Sequence, residues 1–138
     1  IDNEFDHEAK REALRASMRA DLFMPVFWQS AQPLIDSARE AGRQIIAIED
    51  VGKKAPWEVD LRGPTLFVVG GERRGIPQSI LADSDTILRI PVEGFIPSYN
   101  LQAAMSVVLG ERLRQRHQSE NPPVSNPLAR SSSSNASS

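Results

Sequence analysis

The chain has 138 residues, 40% of them hydrophobic, and a formal net charge of −2; this suits one domain with a single core and gives no global attraction to nucleic acid, so any such contact has to come from a local patch. The absence of cysteine excludes a disulfide framework and a thiolate nucleophile, and two scattered histidines give no basis for a zinc site. No apolar run approaches membrane-spanning length and the first residues lack a secretory pattern, so no membrane association and a cytoplasmic location are expected.

Asp6 is placed to cap a helix running to about Arg19, with Ala9, Ala13, Leu14 and Met18 facing inward. Residues 26–28 read as a short strand. Pro33 fits the first turn of the next helix, where its missing N–H costs nothing. Leu34, Ile35 and Ala38 supply the buried stripe of that helix, and Gly42 stops it. Residues 45–48 form an unbroken apolar strand, and the helix–strand alternation predicts a parallel sheet. The loop over residues 51–63 exposes Lys53, Lys54 and Arg62. Trp57 within it is either a core plug under the loop or a platform on which a base stacks.

Leu66, Phe67, Val68 and Val69 form a second apolar run, ending in two glycines, a carboxylate and a third glycine. This suits a buried parallel strand whose carboxyl end opens into a loop of close backbone approach. A third run, residues 87–90, ends at Pro91, and residues 92–97 form an irregular segment around Gly94. A helix then spans about 100–117, with Leu101, Met105, Val108, Leu109 and Leu113 on one broad face. That face is wider than a single sheet contact requires, so part of it is expected in a homodimer interface. Arg112, Arg114 and Arg116 read as a solvated cluster that suits the negative end of the helix dipole. Beyond Ser119 the chain is rich in Ser, Pro and Asn without an aromatic residue, giving a domain over 6–118 and a disordered tail over 119–138. Strand ends, special loops and one long helix within so short a stretch predict a ligand site outside the carboxyl edge of a parallel sheet.

The stretch Gly70-Gly71-Glu72-Arg73-Arg74-Gly75-Ile76, together with Ile90-Pro91, Gly94, Ser98-Tyr99-Asn100, Ala103, Ala104 and Glu111, resembles the second and third motifs of the SpoU/TrmH branch of the SPOUT RNA 2'-O-ribose methyltransferases. Tyr99 stands where a leucine is usual and Gln102 where a small polar residue is usual. Arg15-Ala16-Ser17-Met18, Ala20, Leu22-Phe23 and Pro25-Val26 resemble an earlier segment of the same family, with Arg19 in place of a glycine. The resemblance covers about residues 14–116. The family's first motif, an Asn and an Arg several residues apart, has no match, so the chain is expected to be a piece of a longer parent.

The resemblance implies an α/β fold: a mostly parallel sheet with helices on both faces and a trefoil knot at the carboxyl end. It also implies S-adenosylmethionine (SAM) as cofactor, ribosomal or transfer RNA as substrate, and a homodimer formed through the 100–117 helix. Cofactor contacts are assigned by it to Gly70, Gly71, Glu72, Ile90, Val92, Tyr99 and Leu101, and catalytic or positioning roles to Glu72, Ser98 and Asn100. Each has a plainer alternative. Ile90 and Val92 alone read as core. Glu72 reads as a solvated or helix-capping carboxylate, Asn100 as a helix cap, and Arg73 with Arg74 as solvated cations beside a possible phosphate clamp. A carboxylate is a poor general base for a ribose hydroxyl, whose pKa lies far above it. The competing function is a non-catalytic RNA-binding or assembly module that retains the fold.

Overall fold

The computed structural model describes residues 7–16, 22, 25–27, 29–71, 74–91 and 100–122. The chain divides into two compact units, residues Ile1–Ser37 and Ala38–Ser138. The first holds helix α1 (His7–Ala16) and the larger part of helix α2 (Ala31–Glu40). The Asp6 cap, residues 17–19 and the side chains of Ala9, Ala13, Leu14 and Met18 lie outside the description. The expected strand over 26–28 is not formed at Val26 and Phe27, which are irregular and exposed; Trp28 lies outside the described residues. An apolar triplet becomes a strand only when a neighbour supplies the ladder, and Pro25 at its start brings no N–H to one. In α2, Ile35 and Ala38 are buried as expected, whereas Leu34 is exposed.

The end of α2 shows how local chemistry sets a boundary. Gly42 has φ of 71°, a left-handed conformation that glycine adopts without penalty. Its N–H donates to the Arg39 carbonyl at 3.0 Å, and the Arg43 N–H donates to the Ala38 carbonyl at 2.9 Å. Two otherwise orphaned helix carbonyls are thereby satisfied, and the chain is turned directly into the sheet.

The second unit is built on three strands, β1 (Gln44–Ile48), β2 (Thr65–Val69) and β3 (Thr86–Leu88). They form a parallel sheet of order β2-β1-β3. The register sets Ile46 beside Phe67 and Ile48 beside both Val69 and Leu88. Because side chains alternate along a strand, Ile46, Ile48, Phe67 and Leu88 share one face. They pack with Leu61, Ile90 and with Ala104 and Val108 of helix α4 (Leu101–Glu120) in one apolar cluster. Ile45 and Ala47, on the other face, are also fully buried. The central strand is therefore enclosed on both sides, which accounts for its unbroken apolar sequence. A short helix, α3 (Gln78–Ala82), precedes β3. Asp85 accepts from the Ile45 N–H at 2.7 Å through its carboxylate and donates its own N–H to the Ile45 carbonyl at 2.9 Å, fastening the entry of β3 to the start of β1.

The core-plug reading of Trp57 and the solvated reading of Arg112 are corrected. Trp57, in a 3-10 turn over Pro56–Glu58, is 58% exposed; Ala55, Pro56 and Leu61 fill the space beneath the loop instead. Arg112 is not part of a solvated cluster. Its Nη1 donates to the carbonyls of Leu61 and Gly63 and, at 3.3 Å, to the Thr65 hydroxyl. A carbonyl-rich loop passing over the helix needs donors; Arg112 supplies them, and Gln115 adds one by donating its Nε2 to the Val59 carbonyl while its Oε1 accepts from the Leu61 N–H. Within the chain only part of the apolar face of α4 is covered: Ala104 and Val108 are buried, Leu101 and Met105 half-buried, and Leu109 and Leu113 are 43% and 69% exposed. Arg114 and Arg116 are exposed as expected. Arg114 pairs with Glu111 at 2.7 Å, and this hydrogen bond, helped by one from Gln115, holds the Glu111 carboxyl down at about 2 against the opposing effect of burial. The helix runs through Glu120, so the boundary drawn at 118/119 falls inside its last turn; residues 123–138 lie outside the described residues.

Replacing Arg112 removes one donor each from the Leu61 and Gly63 carbonyls and the Thr65 hydroxyl, of which Gly63 keeps the Thr65 hydroxyl and Thr65 keeps Gln44. Arg112→Ala is expected to cost about 2 kcal/mol of stability, in keeping with charge-assisted hydrogen bonds worth roughly 1.5–3 kcal/mol. Arg116→Ala, on the exposed side of the same helix, is expected to change it by less than about 0.5 kcal/mol. Urea denaturation of both variants distinguishes a clamp from a solvated cluster: equal midpoints would remove the clamp.

Candidate active site

In a parallel sheet all strands end on one edge, and the loops that follow them converge there. A cavity of about 460 Å³ opens at that edge, within the roughly 300–1,000 Å³ typical of small-molecule and cofactor sites. Its wall is supplied by the ends of the three strand segments and the start of α4. Ile48, Glu49 and Asp50 come from the end of β1; Gly70, Gly71 and Gly75 from the loop after β2; Ile90 from beyond β3; and Asn100, Leu101 and Ala104 from the helix start. Five residues singled out from the sequence, Gly70, Gly71, Ile90, Asn100 and Leu101, are thus brought together. Glu72, Val92, Ser98 and Tyr99 lie outside the described residues.

The glycine loop is closed by its own backbone. The Gly75 N–H donates to the Gly71 carbonyl at 2.8 Å and the Arg74 N–H donates to the same carbonyl at 3.3 Å. Gly75 has φ of 63°, and a Cβ on Gly70 would stand 2.3 Å from the Gly75 carbonyl carbon and 2.6 Å from the Ile76 nitrogen. What requires glycine at position 70 is therefore the opposite limb of the loop. The sequence reading placed that constraint on the ligand side. Among the described residues nothing lies within 4 Å of a Cβ built on Gly71.

Asn100 takes the plainer of its two roles without losing access to the cavity. Its Oδ1 accepts from the Gln102 N–H at 2.8 Å, capping α4, and this leaves the amide nitrogen outside the cap. Ile90 is likewise both core and wall: it is buried in the apolar cluster and lines the cavity.

Glu49 and Asp50 were not anticipated. The half-buried Glu49 carboxylate accepts from the Ile76 N–H at 3.0 Å and from the Asp50 N–H at 3.2 Å. A turn closed by the Gly52 N–H on the Glu49 carbonyl carries the chain away over β3. Gly52 lies so close to that strand that a Cβ would come within 2.5 Å of the Leu88 carbonyl carbon. The available signal was the Glu-Asp pair immediately after an unbroken apolar strand. It gained meaning only once that strand was known to be central. The two carboxylates are the only ionisable side chains among the described lining residues, so this described part of the wall favours a cationic ligand group over a phosphate. Among the described residues no cluster suits a metal ion, and no helix is long and apolar enough to cross a membrane.

Comparison with known proteins agrees with this geometry. The model of the SpoU rRNA Methylase family matches residues 1–110, and the chain belongs to that family, the SpoU/TrmH type of SPOUT RNA methyltransferase. The match begins at residue 1, earlier than the resemblance drawn from the motifs, and ends within α4. An uncharacterized tRNA/rRNA methyltransferase of Mycolicibacterium smegmatis is 38% identical over 82 residues, which are 59% of this chain and 26% of that protein. The 23S rRNA (guanosine-2'-O-)-methyltransferase RlmB of Pseudomonas aeruginosa is 30% identical over 59% of this chain and 33% of its own length. The chain thus spans about a quarter to a third of these curated relatives. Among solved structures, an RNA 2'-O ribose methyltransferase superposes with a TM-score of 0.68 at 26% identity, covering 77% of this chain and 41% of that one. The SpoU methyltransferase AviRb of Streptomyces viridochromogenes, in complex with the cofactor AdoMet, gives 0.67 at 26% identity over 78% and 45% of the two chains. The parallel α/β architecture is that of the family.

The two adjacent glycines provide a test of the loop geometry. Gly70→Ala forces a side chain into backbone and is expected to lower stability by roughly 1–3 kcal/mol, as overpacking does. Gly71→Ala meets none of the described residues and is expected to change stability by less than about 0.5 kcal/mol. Thermal melts of the two variants compare them directly; equal losses would contradict the loop closure described above.

Proposed function

We propose that this chain supplies the SAM pocket of an enzyme that methylates a ribose 2'-hydroxyl in ribosomal or transfer RNA. The observation that carries the reading is the convergence of both family motifs on one cavity whose only described ionisable groups are carboxylates. SAM supplies a methyl group already activated on a sulfonium cation. The chain's own residues have only to bind, orient and exclude water. Backbone groups of the Gly70, Gly71 and Glu72 loop, of the Ile90 to Val92 segment and of Tyr99 and Leu101 hold the nucleoside end, and Glu49 with Asp50 favours the positive charge. Glu72 shapes the catalytic loops. Ser98 and the Asn100 amide orient the acceptor ribose. The Arg expected to face the hydroxyl belongs to the first motif, which has no counterpart in this sequence, so transfer is proposed for a longer parent protein.

The remaining family properties are proposed in the same way. The carboxyl end forms a trefoil knot, residues 6–118 are the carboxyl-terminal part of the methyltransferase domain, and residues 119–138 are a tail. The protein acts on RNA in the cytoplasm as a homodimer through the 100–117 helix. The exposure of Leu109 and Leu113 on α4 supports that interface, because apolar side chains at one helical spacing are left without cover. Light scattering at tens of micromolar is expected to give twice the chain mass, with Leu113→Asp shifting it toward the monomer. A wild-type chain that stays monomeric at that concentration removes the interface.

Binding and transfer are tested separately. Isothermal titration of the folded chain is expected to show binding of SAM and of its demethylated product, with no competition from NAD or ATP; absence of both heats sinks the pocket assignment. In the full-length parent, Asn100→Asp preserves an acceptor for the helix cap but removes the amide donor. It is expected to leave the melting temperature nearly unchanged and lower single-turnover methyl transfer to ribosomal or transfer RNA by about ten- to a thousand-fold. Asn100→Ala is expected to show that loss together with about 1 kcal/mol of destabilisation. Normal transfer by the Asp variant would leave Asn100 as a cap only. A parent that binds RNA and transfers nothing is the non-catalytic module.

A further inference from the structure

We infer that Glu49 is a positioning residue of the pocket. Its side chain staples the far limb of the glycine loop to the carboxyl end of the central strand and thereby holds the cavity at the width its ligand needs. The inference rests on the reading of the cavity as a SAM pocket and adds a residue outside both sequence motifs.

Three features point to a staple. The Glu49 Oε2 accepts the Ile76 N–H at 3.0 Å across 27 residues of sequence, immediately after the loop ends. The same oxygen would lie 2.8 Å from a Cβ on Gly75, so the carboxylate is seated against the loop backbone at a position open only to glycine. The other oxygen is steadied by the Asp50 N–H. The anchor itself does not move easily: Glu49 follows a strand fully enclosed in the sheet, and its N–H is bonded to the Leu88 carbonyl at 2.9 Å. Gly70 and Gly71 form the near limb of the loop and Gly75 the far limb, and all three line the cavity together with Glu49. A loop tied only by its own Gly71–Gly75 bonds keeps its tight turn but is free to pivot about β2; the bond to Glu49 removes that freedom. Preorganisation of this kind is expressed in ligand affinity more than in global stability.

The inference predicts that, for a ligand whose sulfur is neutral, reach and not charge is what position 49 must provide. Glu49→Gln retains an acceptor at the same distance, Glu49→Asp retains the charge but is one methylene short, and Glu49→Ala loses both. Titration with S-adenosylhomocysteine, whose sulfur is neutral, is expected to give an affinity for Gln within about threefold of wild type. Asp and Ala are expected to be weakened at least tenfold. Amide exchange measured without ligand is expected to show the Ile76 N–H protected in wild type and Gln and exchanging at least tenfold faster in Asp and Ala. Should Ala fail to fold, the contrast between Gln and Asp decides the question. If wild type binds and all folded variants bind equally, or if Asp binds like wild type while Gln is weak, the staple is overturned and the pocket reading stands. If wild type itself does not bind, the pocket reading falls and this inference with it.

Discussion

Parallel pairing on both sides of β1 is the constraint from which the rest of this structure follows. A strand flanked by parallel neighbours ends on the same edge as they do. Here the chain therefore leaves the sheet three times at one place: after Ile48, after Val69 and after Leu88. Every described element of the candidate site is one of those exits or the helix start that caps them. The cost is that β1 has no solvent-facing side. Ile45, Ile46 and Ala47 are all inaccessible, and a polar residue at any of them would be buried without a partner.

Helix α4 is held at both of its ends by hydrogen bonds of different kinds. At the amino end Asn100 caps the first turn while lining the cavity, so a stabilising contact and a part of the cavity wall come from one residue. Farther along, Arg112 and Gln115 satisfy the backbone of the loop that leads into β2. The helix thus orders the loop preceding the edge strand as well as covering the sheet, and its burial at Ala104 and Val108 is only part of what fixes its position. Arginine suits this task because its planar fork offers several donors from one stem.

The glycine loop has two separate needs for glycine, and they fall on different residues. Gly75 adopts a left-handed conformation against Glu49, while Gly70 is pressed by the opposing limb. Gly71, between them, is crowded by none of the described residues. The motif is therefore in large part a recipe for a tight, self-bonded turn. Access for a ligand follows from where that turn is placed on the sheet edge.

From the residues alone, the three apolar strands, the helix stop at Gly42, the long final helix and the family motifs were legible, because each is written in neighbouring residues: an unbroken apolar run, a left-handed glycine, a loop of fixed spacing. Strand order, the membership of Glu49 and Asp50 in the cavity, the outward Trp57, the inward Arg112 and the crowding at Gly70 were not. Some depend on a partner far along the chain, as Glu49 depends on Ile76 and Arg112 on Gly63, and others on how a loop closes on itself, as Gly70 is crowded by Gly75 and Ile76. Periodicity and propensity carry no information about such partners. The core-plug alternative for Trp57 and the solvated reading of Arg112 fail for the same reason: a large apolar side chain is buried only if space remains beneath its loop, and an arginine is solvated only if no carbonyl needs it. Tertiary packing alone decides both, because it determines which space is filled and which backbone groups have lost their water.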